Sequence, residues 1–277
     1  MMQRGEAGMT IEPFLKEDVP RFLGLAAAEN WVAEPWEFDF LLSSFPAGCL
    51  SARDEAGAAV GFVTSLRHDL SGWIGNLIVD QRHRGCGIGE ALFLGALSGL
   101  RNVGAETFWL TASKMGKALY ERHGFSSIDT IIRWTGRGGE QAGTSHAAEG
   151  EWDAVLDQLG WGDRRDGLLA ATSRRGTVLA GDGAFAVIQP CGRAVQLGPF
   201  SARSPDLAAG LLDEALDRQP AGTAVYIDTP ARNLEAVALL QERGFRNHGT
   251  NLLMYAGVEP DFRPEYVYGL ATMGSCG

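Results

Sequence analysis

Hydrophobic positions change their period repeatedly along this chain, and each change marks an element. Thr10 to Phe14 reads as a first edge strand, with Pro13 tolerable at an edge. Apolar residues at 19, 22, 23, 25 and 26 then form a helical stripe within 16–29, and Pro35, suited to a first helical position, opens a second short helix ending at Ser44. Strand-like runs follow near 49–53, 59–67 and 72–79, joined by hairpin turns at 54–57 and 68–72. The last of them, closing on Leu77, Ile78 and Val79, leads into Arg84-Gly85-Cys86-Gly87-Ile88-Gly89, after which Ala, Leu and Phe spacing predicts a helix from Ile88 to Leu100. A strand at 106–111, a helix at 114–123 and a strand at 125–134 complete this half.

Residues 136–150 carry no apolar anchor and read as an exposed linker. The pattern restarts at Glu151, with helices at 151–159 and 163–173 and strands near 177–180, 183–189 and 192–198. A helix at 206–217, a strand at 223–228, a helix at 231–242 and a strand from Phe245 follow. The tail, 251–268, is strand-forming and aromatic and is expected to pack back on this half. The halves resemble one another: Thr223 through Asn233, followed by Ala-Leu-Leu-Gln-Glu-Arg-Gly244-Phe245, matches Glu106 through Gly124-Phe125 in order and spacing. The pattern therefore predicts an α+β fold with an α/β-type mixed sheet, as two similar modules: 1–135, a linker at 136–150, and 151–277. The eight residues before Met9 are expected to fray.

The glycine loop carries the first chemistry. It lies between a strand and a helix, and glycines at 85, 87 and 89 free the backbone to curl and aim successive N–H groups at one point. The dipole of the next helix points the same way, so that point suits a phosphate or pyrophosphate, with Arg84 beside it. Spacing excludes two alternatives. The G-x-G-x-x-G dinucleotide fingerprint fails at Glu90, and no stretch fits G-x-x-x-x-G-K-[ST]. Arg84-x-x-Gly87-x-Gly89 after Leu77-Ile-Val-Asp80 does fit [RQ]-x-x-G-x-[GA], and it resembles the acetyl-CoA pyrophosphate loop of the GNAT N-acetyltransferases. Some thirty residues on, Lys117-Ala-Leu-Tyr120-Glu-Arg-His-Gly124-Phe125 resembles the second signature of that family.

The resemblance implies two GNAT-like acyl-CoA N-acyltransferase modules in tandem, the second divergent. It implies an acetyl-CoA-dependent N-acetyltransferase that acts by direct attack of an amine on the thioester. Acetyl-CoA as co-substrate would be held by Leu77, Ile78 and Val79 along the strand and by Arg84, Gly85, Cys86, Gly87, Ile88 and Gly89 at the loop, with Ser113 touching its arm. Tyr120 takes the place of the family's general acid. The equivalent position in the second half, five before the Gly-Phe phenylalanine, is Leu240, which has no proton to give. In the second loop Pro205 removes an N–H donor, and Asp206, expected as the helix cap, opposes an anion. Acetyl-CoA is therefore expected in the first module only.

In this family the loop between the first two helices lines the acceptor side, which points to Glu34 and Trp36; core packing is an equal reading for Trp31 and Trp36. Some members carry a carboxylate or histidine six residues before Val79, where this chain has Trp73. Trp73 either walls the acceptor pocket or packs in the core. Proton removal is left to ordered water, to Glu34, to Asp129, or to an amine that arrives neutral.

Length and charge narrow the partners. At 277 residues the chain has room for two domains. A net charge of −10 without any basic run argues against nucleic acid and anionic membranes; acidity favours a cationic amine or equally serves solubility, and the small-molecule amine acceptor is what the GNAT resemblance implies. Cysteines at 49, 86, 191 and 276 lack the spacing of a zinc site or a disulfide framework, so neither a metal nor an oxidising compartment is expected. With no signal peptide or bilayer-length apolar run, the expected location is the cytoplasm. A homodimer stays open. The competing function is a catalytically weak acyl-CoA sensor whose second module binds a ligand or partner.

Overall fold

The computed structural model describes residues 9–139 and 148–277. Residues 1–8, expected to fray, and residues 140–147 of the expected linker lie outside the described residues. Two compact units are present, one comprising the chain up to Leu110 together with Cys276, the other Thr111–Ser275 with Gly277.

In the first unit, β1 (Thr10–Pro13), β2 (Leu50–Arg53), β3 (Ala59–Arg67), β4 (Ser71–Val79) and β5 (Thr107–Ala112) lie side by side in chain order. The first four pair antiparallel, and β4 and β5 pair parallel. That parallel step needs a crossover, which α3 (Ile88–Asn102) supplies. Leu92, Phe93, Ala96, Leu97 and Leu100 recur at three- and four-residue intervals and are buried, so one face of α3 closes the sheet. Gly72 accommodates it, since a Cβ there would stand 2.5 Å from Leu100. On α1 (Val19–Ala28) and α2 (Pro35–Ser44), Phe22 and Phe38 meet Phe14 and Phe62, with ring centroids 4.6 to 6.1 Å apart. These rings are nearly or wholly buried, and each contributes on the order of 3–5 kcal/mol against truncation to alanine.

The second unit begins with α4 (Lys117–Arg122) and β6 (Ser126–Arg137), which sequence order sets with the first repeat. It continues through β7 (Ala148–Glu149), α5 (Ala154–Trp161), α6 (Asp166–Arg175), β8 (Thr177–Gly181), β9 (Ala184–Cys191), β10 (Ala194–Ala202), α7 (Pro205–Asp217), β11 (Ala224–Pro230), α8 (Leu234–Glu242), β12 (Arg246–Gly257) and β13 (Val267–Gly269). Its strand order is β12-β6-β11-β10-β9-β8-β7, with β13 on β10. Strand β6 is thus antiparallel to β11 on one side and to β12 on the other. Arg133 of β6 stands opposite Asp228 of β11 and donates two hydrogen bonds to its carboxylate, at 2.8 and 2.6 Å. A buried carboxylate left without that guanidinium would be strongly unfavourable, so the pair fixes the register. Trp134, Leu197, Phe200, Leu212, Ile227, Leu240 and Phe245 share the unit's main core.

Among the described residues no helix is long and apolar enough to cross a membrane, and no group of three His, Cys, Asp or Glu side chains is placed to hold a metal. Cys49, Cys191 and Cys276 are buried, Cys86 is exposed, and all four are free thiols.

Candidate active site

Strand β4 is broken in two ways that prepare its end for a ligand. Between Phe62↔Ile78 and Thr64↔Gly75 it holds one more residue than β3, and Asn76 takes up the excess at φ 55°. This bulge is tied down by Asn76 Nδ2 donating to Thr64 Oγ1 at 3.1 Å, while Thr64 Oγ1 donates to Gly75 O at 3.3 Å. Pairing with β5 runs only from Ser71↔Thr107 to Ile74↔Leu110, so the backbone of Gly75 to Val79 turns away from β5. Leu77 and Val79 are half-buried beside this fork, and Ile78 is in the core. Sequence reasoning missed Asn76. A glycine–asparagine pair inside a strand pattern, with asparagine tolerant of positive φ, is the signal that could have found it.

Beyond Val79 the chain is held by Asp80. Its carboxylate accepts from the backbone N–H of Arg82 at 3.0 Å, from Arg82 Nε and Nη2, and from Arg21 Nη2 at 2.6 Å. Hydrogen bonds from Arg82, with Arg21 adding to them, keep this carboxyl far below the usual carboxylate range. Arg84 follows in extended conformation, donating from Nε to Val79 O at 2.9 Å and from Nη2 to Glu29 at 2.6 Å. Gln81 Nε2 reaches the same Glu29 oxygen at 3.0 Å. Hydrogen bonds from Gln81 and then Arg84 lower the pKa of Glu29.

Gly85 and Gly87 have φ of 80° and 76°, a region that costs other residues energy, so both glycines are needed for the turn itself. A Cβ on either would meet no atom within 4 Å, which means that the space above the loop is open. Gly89, inside α3, would place its Cβ an ordinary 3.6 Å from Val79. Gly87 is the N-cap of α3 and no side chain caps the helix. The first-turn N–H groups, which have no partner within a helix, therefore face that open space together with the positive end of the dipole. Ile88 is buried and offers its backbone alone, whereas Cys86 is exposed.

The corresponding turn in the second unit is occupied by the chain itself. Ser204 caps α7, its Oγ accepting from Leu207 N at 3.4 Å, and Pro205 is the first helical residue. Asp206, expected as the cap, is the second helical residue; proline's fixed φ suits the first position and moves the cap back to Ser204. The consequence for an anion is unchanged: one donor is satisfied by Ser204, one is absent at Pro205, and Asp206 adds negative charge.

Tyr120, on α4 in the second unit, is buried, and loss of solvent pushes its phenol up to about 12. The helix closes in a Schellman turn: Gly124 at φ 85°, its N–H donating to Glu121 O, and Phe125 N donating to Tyr120 O at 3.1 Å. Gly244 repeats this at φ 75°, with Phe245 N donating to Leu240 O at 2.9 Å. The geometry therefore sets Leu240 opposite Tyr120. Ser113 Oγ accepts from Gly116 N at 3.2 Å, and Asn233 caps α8 in the equivalent place.

The acceptor-side residues separate. Glu34 is the backbone N-cap of α2 and Trp36 is half-buried, while Trp31 and Val32 of the same loop are 43% and 42% exposed and seal no core. Trp73 is 1% exposed and stacked on Trp109 at 6.4 Å. Packing accounts for it, and it has no surface to offer a ligand in this conformation. Asp129 is buried, and burial raises its carboxyl. Its Oδ1 accepts from Thr130 N and Arg232 N, while Oδ2 has no partner among the described residues. It lines a groove of about 590 Å³ with Ser127, Ile128, Thr130, Arg232 and Leu234.

A bulged strand forking from its parallel neighbour and ending in an uncapped glycine turn makes a cleft suited to an anionic ligand, and the sequence signatures point to the GNAT family. Comparison with known proteins agrees: residues 46–127 and 154–269 each match the acetyltransferase (GNAT) domain family. The chain belongs to the GNAT acetyltransferases and carries two such domains in tandem. Over 112 residues, 38% of this chain, it is 37% identical to the mycothiol acetyltransferase of Propionibacterium freudenreichii subsp. shermanii. It spans about a third (34%) of the length of that curated relative. Among solved structures, a candidate acetyltransferase from Pyrococcus horikoshii aligns at TM-score 0.86 and 22% identity, covering 99% of both chains. A tandem GNAT protein from the clavulanic acid biosynthesis pathway aligns at TM-score 0.63 and 17% identity over 91% of this chain and 99% of its own. At those identities the two structures speak for the fold.

Proposed function

We propose that the chain is an acetyl-CoA-dependent N-acetyltransferase whose acetyl-CoA sits on the Arg84–Gly89 loop of the first unit. The observation that carries this reading is the pair of left-handed glycines at an uncapped helix start, open above and flanked by Arg84. By sequence the modules are 1–135 and 151–277, joined through 136–150. The pantetheine arm would lie along Leu77, Ile78 and Val79, with Ser113 beside it. A small-molecule amine is the acceptor, since similarity to a mycothiol acetyltransferase favours a small acceptor over a protein. Glu34 and Trp36 would contact it, on the family resemblance of the loop that carries them. The cytoplasm, where acetyl-CoA is made and thiols stay reduced, is the expected compartment.

In this mechanism the neutral amine attacks the thioester carbon and its lone pair forms the C–N bond. A backbone N–H of β4 next to the Asn76 bulge donates to the oxygen that gains charge. As the C–S bond breaks, Tyr120 gives its proton to the sulfur, and the proton shed by the amine replaces it through solvent. The products are an amide and free CoA. A phenol held near 12 remains a hydrogen-bond donor at physiological pH, so it is in the right state at the start of each cycle.

Release of free thiol from acetyl-CoA over a panel of amines tests the reading. Turnover by the parent and its loss in Tyr120→Phe are expected. Tight acetyl-CoA binding with no turnover on any amine would replace the enzyme by an acyl-CoA sensor.

A further inference from the structure

Each unit contains a fork between two parallel strands, and the forks differ in what fills them. In the first, β4 and β5 part after Ile74 and Leu110. In the second, β10 and β11 pair only at Val195↔Val225 and Gln196↔Tyr226 before parting. Into this second fork runs the chain's own C-terminal segment. β13 pairs antiparallel with β10, Gly269 opposite Phe200 and Val267 opposite Ser201. On the other side Leu270 N donates to Asp228 O of β11 at 2.8 Å, and Thr229 Oγ1 donates to Tyr268 O at 2.7 Å. Asn233 Nδ2 donates to Val267 O at 3.0 Å, and Gln189 Nε2 to Ala271 O at 2.8 Å.

The fit is close on both faces. Val267, Leu270 and Ala271 have no exposed surface, and the Tyr268 ring lies 5.3 Å from that of Phe200. Glycines permit the approach: a Cβ on Gly198 would fall 1.9 Å from Leu270 O, and one on Gly269 would fall 2.9 Å from Leu197 O. The segment is an extended chain whose amides satisfy the freed strand edges. An acyl-pantetheine arm, also extended and also carrying amides, would make the same kind of contact in an empty fork.

We propose that residues 264–271 are a built-in occupant of the second unit, filling the fork in place of an acyl-CoA arm, so that the chain holds one acyl-CoA and not two. The proposal rests on the cofactor reading of the first unit. It reaches beyond that reading by giving the C-terminal segment a role and by fixing the stoichiometry. Expelling the segment would expose Val267, Leu270 and Ala271 and strand the buried amides of Gln189 and Asn233. A cofactor arriving at the Ser204–Asp206 turn would gain no phosphate site in exchange.

Calorimetry and hydrogen exchange on the full chain test this together. Acetyl-CoA should bind with a stoichiometry of one. Amides 267–270 should exchange about a hundredfold or more slower than in a free peptide, with or without acetyl-CoA, while amides 85–90 slow on its addition. Asn233→Asp keeps the oxygen that caps α8 and loses the donor to Val267 O. It should speed exchange at 267–270 at least tenfold and leave the stoichiometry at one, and Gly198→Ala should do the same from the opposite wall. Binding of two acetyl-CoA per chain, or faster exchange at 267–270 as acetyl-CoA is added, would overturn the proposal. So would exchange at 267–270 as fast as a free peptide's in the parent. Absence of heat and of any change at 85–90 would instead refute the first-unit cofactor site; slow exchange at 267–270 in the same sample would still support occupancy of the second.

Discussion

Replacing Gly87 by alanine separates what the turn needs from what a ligand needs. At φ 76° an alanine is strained by about 1–2 kcal/mol, and with no atom within 4 Å of the new Cβ nothing further is lost inside the protein. Gly57 and Gly104, at φ 79° and 78°, have equally empty surroundings and lie in other turns, so they carry the same strain without the ligand. All three variants should therefore fall by about the same stability in urea. Acetyl-CoA affinity should fall only for Gly87→Ala, because its methyl enters the space where, in the proposed site, N–H groups would meet the pyrophosphate. Loss of one charge-assisted hydrogen bond, at about 1.5–3 kcal/mol, weakens binding by about tenfold to a hundredfold or more. Calorimetric titration of the three variants reads the difference. Equal affinities across all three would show that the anion does not sit over Gly87.

Tyr120→Phe should lower kcat by about a hundredfold or more with little change in KM, since in the proposed mechanism the hydroxyl acts as the leaving group departs; steady-state kinetics with a saturating amine decides it. The tyrosines also predict an alkaline limit. Tyr120 and Tyr268 are both pushed from 10.0 to about 12 by burial, so below pH 10 neither favours unfolding. Between pH 10 and 12 the unfolded chain loses those protons first, and stability falls; denaturation of Tyr120→Phe should show a shallower decline over that interval. Asp80→Asn should cost about 2 kcal/mol or more by removing charge-assisted bonds to Arg21 and Arg82. Because its carboxyl is held below the ordinary 3.8, the Asp80 contribution is present above that pH and disappears as pH drops through the lowered value. Urea melts from pH 2 to 7 should show an acid decline in the parent that is weaker in the variant. Glu29→Gln releases Arg84 from its ion pair, and acetyl-CoA binding should tighten at low salt and lose more affinity as salt is added.

Local chemistry was legible in the sequence where it is set by neighbours. The turn at 84–89 and the Gly124-Phe125 and Gly244-Phe245 closures depend on glycines at fixed offsets, and the repeat shows twice what each offset does. The cap of α7 shifted by two residues because two good candidates, Ser204 and Asp206, flank Pro205 and only the proline's φ decides between them. Trp73 could not be assigned from sequence because burial and pocket lining ask for the same residue type. The position of β6 was not legible either. Which strands flank it depends on pairing across about a hundred residues, and its only local trace is a single charge, Arg133, that awaits Asp228. The fork filled by 267–270 is similar: the tail reads as a strand, but its destination is written in the missing side chains of Gly198 and Gly269.

The place of β6 has a practical edge. A protease or a gene cut falling within 140–147 would sever β6 from both of its partners, β11 and β12, and leave the upstream fragment ending in a strand with two bare, half-apolar edges. Such a piece is a template for aggregation, and Asp228 on the other piece would be buried without its counterion. Strand β6, which sequence order sets with the first repeat, is thus built into the sheet of the second unit, and a cut at the joint between the repeats does not fall at the boundary between the units.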